Sequence, residues 1–139
     1  MKSLVLLVVV LTVLAGNGVQ SQVIPPILTV TGTVKCTQNY TDATAPAFAH
    51  AEVQLISGGT IIATATTDIN GLFNINLVVG VSLNGILVNV EILETCILKV
   101  TTPLVQCNAS LTTNGVLVSS ITRLNTGVFA PVCFIFVTL

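Results

Sequence analysis

The residues of this 139-residue chain whose types and spacing could support chemistry are few. There are four cysteines (Cys36, Cys96, Cys107 and Cys133), two Asn-x-Ser/Thr acceptors (Asn39 and Asn108), one histidine and five carboxylates. The segment Cys96-Ile-Leu-Lys-Val-Thr-Thr-Pro-Leu-Val-Gln-Cys-Asn-Ala-Ser-Leu111 gathers the most of them. A glycan acceptor beside a cysteine has meaning in the secretory pathway, where thiols oxidise and sequons are used. Asn108 and Asn39 are therefore the expected glycosylation sites. Four cysteines allow three pairings, and their spacing selects none of them. Zinc would require close Cys-x-x-Cys ligand pairs, which this chain lacks, and an oxidising compartment favours disulfides. No metal or cofactor is expected.

Catalytic constellations fare no better. A Ser-His-Asp or Cys-His arrangement would have to use His50, and no Gly-x-Ser-x-Gly elbow accompanies it. His50 reads as a solvent-facing residue at a loop end. Glu91 and Glu94 would share a face as a glycosidase-like pair if their segment were helical. The stronger reading makes them solvated charges relieving an apolar stretch. Asp42 and Asp68 are turn formers by composition. Gly58-Gly59 and Asn70-Gly71 lack the lysine and the strand–loop–helix setting of a phosphate cradle. The expectation is that the protein is not an enzyme and carries no catalytic residues.

The elements that must position these residues are strands. Leu28 to Cys36 alternates, with Leu28, Val30, Val34 and Cys36 on one face. Thr37 to His50 is a polar loop, and Ala51 to Ile56 is a second strand with Val53 and Leu55 inward. Ser57-Gly58-Gly59 turns the chain into Thr60 to Thr67. Asp68-Ile-Asn-Gly71 reads as a second hairpin turn, leading into Leu72 to Leu77. In Ile97 to Thr102, Leu98 and Val100 alternate with Ile97 and Lys99, and Pro103 ends the pairing. Further strands are predicted at Gly115 to Thr122 and Val128 to Val137. Residues 78–94 carry both helical and strand spacing. The fold class predicted is all-β, a single Greek-key β-sandwich of about seven strands, with 78–94 ambiguous.

The N-terminus supplies the compartment. Lys2 precedes an apolar run, Leu4 to Leu14, that is short for a bilayer span and suited to a cleaved signal peptide. Residues 1–18 are the predicted signal peptide, with cleavage after Gly18 or Ser21, and 19–139 the secreted domain without a transmembrane anchor. Losing Lys2 leaves three basic residues against five acidic, a net charge of −2. Charged residues are only 6% of the chain, against about a quarter in a typical soluble domain. The mature surface must therefore be built from Thr, Ser, Asn and Gly. Nucleic acid and anionic membrane are poor partners for such a surface. It also predicts surface activity and self-association.

Several segments together resemble the plant phylloplanins: Val30-Thr-Gly-Thr-Val-Lys-Cys-Thr37, Ala51-Glu-Val-Gln-Leu55, Ile62-Ala-Thr-Ala-Thr-Thr67, Asn70-Gly-Leu-Phe73 and Leu98 to Leu111. These belong to a wider group similar to the olive-pollen allergen and extensin-type wall proteins. The resemblance implies a small secreted plant glycoprotein on a β-sandwich, without catalysis. It also implies a leaf-surface defence role, inhibiting spore germination and infection by oomycetes and fungi. The partner would be a pathogen spore surface. The alternative is a structural or interaction protein of the plant cell wall, on the pollen-allergen side of the group. From that branch the resemblance implies a Cys36–Cys107 disulfide. The cysteine usually found after the second strand is Ser57 here, so Cys96 lacks its family partner, and Cys96 with Cys133 is what remains by subtraction.

Overall fold

A computed structural model describes residues 27–112 and 114–138, so the expected signal peptide lies outside the described residues. In chain order the elements are β1 (Ile27–Thr33), β2 (Glu52–Ser57), β3 (Thr60–Thr66), β4 (Leu72–Val78), β5 (Ser82–Leu83) and β6 (Ile86–Leu87). They continue with α1 (Val90–Thr95), β7 (Ile97–Val100), a 3-10 turn (Leu104–Gln106), β8 (Gly115–Asn125), β9 (Val128–Pro131) and β10 (Ile135–Thr138).

Two sheets face each other and share one strand. The first runs β3-β2-β7-β8-β10, and the second runs β8-β9-β1-β4. The first half of β8 pairs with β7 on one side (Ile97 with Ser120 through Val100 with Leu117) and with β10 on the other. Its second half pairs with β9. All pairs are antiparallel except β1 with β9, which runs parallel. At the far side β3 and β4 touch without a ladder between them, so the sandwich is drawn toward a barrel.

Period-2 patterning produces this arrangement. β4 alternates exposed and buried along its whole length, placing Phe73, Ile75 and Leu77 inward. Leu28 and Val30 of β1, Val53 and Leu55 of β2, and Leu98 and Val100 of β7 meet them in the core. Val34 and Cys36 continue the buried face beyond the end of β1. Three phenylalanines, Phe48, Phe129 and Phe134, are almost fully buried, each stabilising by about 1.5–3 kcal/mol through removal of apolar area from water.

Two Asn-Gly steps behave differently from expectation. Asp68 to Gly71 does turn the chain, but β3 and β4 lie in different sheets, so the expected hairpin is an arch between sheets. The reason is steric: Gly71 sits at φ 77 against the Val34 carbonyl, where a Cβ would lie 2.5 Å from that oxygen. Gly71 is thus packed against the core, while Asp68, Ile69 and Asn70 of the same turn face solvent. The ambiguous region resolves into both readings. Asn84 and Gly85, at φ 50 and 84, form the two-residue loop of the β5–β6 hairpin, as positive φ at both central positions requires. The Asn84 amide then donates to the Ile61 carbonyl at 2.5 Å, covering part of the β3 edge. Asn89 caps α1 by accepting from the Ile92 N–H at 2.8 Å.

The loop of residues 37–50 is anchored by Thr67, which is buried. Its hydroxyl donates to the Phe48 carbonyl (2.5 Å) and accepts from the Ala51 N–H (2.8 Å). Thr67→Val keeps the shape and strands both backbone groups, at a cost of about 2–3 kcal/mol. The urea midpoint should fall by about 1 M, whereas Thr64→Val on the exposed face of β3 should leave it unchanged. Equal midpoints for the two variants would refute the role given to Thr67.

Candidate functional site: the disulfide pole and the uncharged sheet faces

The bridge comes first because it determines where the polar loops sit. Cys36 follows β1, Cys107 follows the 3-10 turn, and the two are disulfide-bonded with a Cα separation of 6.1 Å. Pro103 caps the 3-10 turn after β7, so the residue that stops pairing also directs Cys107 to the bridge. On the chain-entropy estimate a loop of this length contributes about 4 kcal/mol.

Both expected glycan acceptors lie at this pole and share one local geometry. Asn108 Oδ1 accepts from the Ser110 N–H (3.0 Å) and hydroxyl (2.7 Å). Asn39 Oδ1 accepts from the Thr41 N–H (3.2 Å) and hydroxyl (2.6 Å). Both asparagines are exposed. Asn108 adjoins Cys107 and Asn39 lies three residues past Cys36, so the acceptors are at most about 20 Å apart along the bridged chain. Next to Asn39, Tyr40 packs on Phe134 with centroids 6.3 Å apart, and Lys35 Nζ lies 5.5 Å from the tyrosine ring.

The second expected bridge does not form: Cys96 and Cys133 are free thiols. β8 runs between the segments that carry them, with β7 on one side and the Val132–Thr138 run on the other. Two interstrand spacings, about 10 Å, exceed disulfide reach. Cys96 instead lies opposite Ser57, since Ile56 pairs with Ile97, and the two side chains hydrogen-bond. Burial pushes the Cys96 thiol above its ordinary value, with the Ser57 hydrogen bond opposing this. Ser57 therefore faces a buried thiol that burial keeps protonated.

The remaining chemistry-bearing residues are dispersed. His50 is exposed at φ 59, its N–H bonded to the Thr67 carbonyl at 3.1 Å. Glu91 and Glu94 do lie on a helix, six residues long, and both face solvent. Asp42 binds the Thr44 hydroxyl (2.6 Å) and N–H, and these bonds hold its carboxyl below the ordinary value. Asp68 accepts from the N–H groups of Asn70 and Leu72. Both carboxylates thus organise turns. Among the described residues no three His, Cys, Asp or Glu side chains come together as a metal site.

What the fold does assemble is surface. The outer face of β1 and β4 places Thr29, Thr31 and Thr33 beside Asn76, Asn74 and Leu72. The outer face of the other sheet carries Lys99, Val118 and Ile135 in one cross-strand row, with Val116 beside Val137. Val132 and Ile135 are each 59% exposed. No sequence signal marked these faces beyond the low charge, because a surface shared by four strands has no local motif. An open groove of about 600 Å³ lies on the Thr/Asn face.

Ser57→Cys tests the cysteine geometry. A pair directly opposite across antiparallel strands has a Cα distance suited to bridging. The variant should retain one titratable thiol where the wild type has two, and gain about 4 kcal/mol by closing a loop of about 40 residues. Three titratable thiols would show that Ser57 does not face Cys96.

The family described as Phylloplanin antifungal protein matches residues 23–138. No curated protein and no solved structure matches the chain. The match spans every strand from β1 to β10, including the bridge and both acceptors, and the chain belongs to the phylloplanin family.

Proposed function

We propose that this protein is a secreted plant surface-defence glycoprotein that inhibits spore germination and leaf infection by oomycetes or fungi without catalysing a reaction. Membership of an antifungal family over residues 23–138 is the observation that carries this reading. Residues 1–18 would direct secretion and be removed. The Cys36–Cys107 bridge suits an oxidising extracellular compartment. Glycans on Asn39 and Asn108 would stand at one pole and leave the sheet faces bare.

The surface suggests the mode of action. A chain with three basic residues after processing cannot disrupt membranes as cationic amphipathic peptides do, since these rely on lysine and arginine. Contact through the uncharged and apolar faces with the spore surface is the alternative, and nucleic acid is no partner for it. The exposed row around Ile135 also supports self-association. The second reading, a structural or interaction protein of the plant cell wall in the pollen-allergen and extensin-like group, is favoured by one observation. The Cys36–Cys107 pairing is the one that resemblance implies.

Germination counts with purified protein separate the two. Inhibition should persist from low to high sodium chloride, because few charges exist to be screened, and should strengthen in sulfate. Absence of inhibition would move the protein to the cell-wall reading, and inhibition abolished by modest salt would refute apolar contact. Enzymatic deglycosylation of plant-expressed protein should lower its mass, with the acceptors mapping to Asn108 and Asn39; an unchanged mass would remove the glycans from this picture.

A further inference from the structure

We infer that the groove on the outer face of β1 and β4 binds neutral oligosaccharide. This rests on the surface-contact reading above and names the ligand class for it. The groove is built from four strands and a turn: Thr31 of β1, Leu72 and Asn74 of β4, Val128 of β9, Thr66 at the end of β3, and Asp68 of the turn that follows. Leu72 and Val128 supply apolar floor, and a carboxylate, an amide and two hydroxyls stand around it.

These polar groups are positioned and only partly used. Asp68 spends Oδ1 on the N–H groups of Asn70 (2.8 Å) and Leu72 (3.0 Å), leaving Oδ2 free to accept. Thr31 donates its hydroxyl proton to the Phe73 carbonyl at 3.2 Å and keeps lone pairs for an incoming donor. Among the described residues, no side-chain hydrogen bond occupies the Asn74 amide or the Thr66 hydroxyl. Thr31 and Asn74 are direct cross-strand partners, so their side chains emerge about 5 Å apart on one face. Strand backbone and a locked turn thus hold the donors and acceptors before any ligand arrives, which reduces the ordering cost of binding.

The chemistry selects among ligands. A pyranose offers adjacent hydroxyls, each donor and acceptor, on a ring with apolar C–H faces, which matches polar groups around an apolar floor. No lysine or arginine lines the groove, so a phosphate, sulfate or uronate group would meet the Asp68 carboxylate without a counter-charge. A lone carboxylate is also a poor cation site. Neutral sugar is the class that brings no like charge against Asp68 and can donate hydroxyl protons to it.

Calorimetric or NMR titration with laminarihexaose, a neutral β-1,3-glucan hexamer, tests this, with hexagalacturonate as the anionic comparison. Saturable binding of the neutral hexamer to the wild type is expected, weaker by about tenfold in Asn74→Ala and in Thr66→Ala, each losing one polar contact. Both positions are exposed, and Thr64→Ala, outside the groove, should bind as the wild type does. Circular dichroism verifies that each variant is folded. No binding up to roughly 10 mM, wild-type affinity in both groove variants, or preference for the anionic hexamer would overturn the assignment. Germination inhibition without laminarihexaose binding sinks the groove and leaves the defence reading standing. Binding without inhibition keeps the groove and sinks the defence reading.

Discussion

β8 hydrogen-bonds in two sheets, and the architecture follows from satisfying its backbone on both edges. Its first half lies between β7 and β10, and its second half pairs with β9. A strand of eleven residues that serves both sheets must bend where it passes from one to the other, and a register shift farther along, where β9 begins, adds local twist. Buried backbone groups left without partners are costly, so the bend cannot shed its ladder. β9 and β10 are consequently two pieces of one return path along β8, interrupted at Val132–Phe134, where Val132 still donates to the Ser120 carbonyl. The parallel pairing of β1 with β9 then carries the second sheet round toward the first.

The same constraint explains the cysteines. Because β8 occupies the space between β7 and β10, the thiols of Cys96 and Cys133 are held on opposite sides of a continuous ladder. Cys36 and Cys107, by contrast, emerge where pairing has already ended, one beyond β1 and one beyond Pro103 and its 3-10 turn. A disulfide can close there without competing with backbone hydrogen bonds. One sequon begins right after Cys107 and the other three residues past Cys36, which brings both glycan acceptors to one pole. The sheet faces, at a distance from that pole, carry few charges.

Low charge has consequences at two levels. Within the fold it removes the need to pair buried ions, and the buried polar groups are hydroxyls such as Thr67 and Ser119, each hydrogen-bonded. On the surface it replaces electrostatic attraction with contact area and neutral hydrogen bonding. A Thr/Asn face and a largely aliphatic face on opposite sheets give one small domain two chemically distinct surfaces of low charge. Such surfaces can act on walls and interfaces where ionic strength varies widely, since they have little charge for salt to screen.

Composition and periodicity by themselves determined the compartment-compatible chemistry, the all-β class and most of the core. Leu28, Val30, Val34, Cys36, Val53, Leu55, Leu98 and Val100 are buried as their alternation predicts, because strand geometry converts every second residue into one face regardless of what lies across it. Tertiary structure alone decided which strands became neighbours. Asp68 to Gly71 reads as a hairpin and forms an arch, since only the packed Val34 carbonyl reveals that Gly71 is held against the core. Asn84-Gly85 was the truer hairpin signal, obscured because its strands are two residues each and carry no periodicity. Cys96 with Cys133 failed for the same reason, as subtraction among four cysteines cannot see the strand between them. The groove, too, joins residues from Thr31 to Val128 that are adjacent only after the sheet has closed. Side-chain alternation is a property of one strand, whereas register, sheet order and surface are properties of pairs of strands, and those are fixed by long-range hydrogen bonds that no local segment encodes.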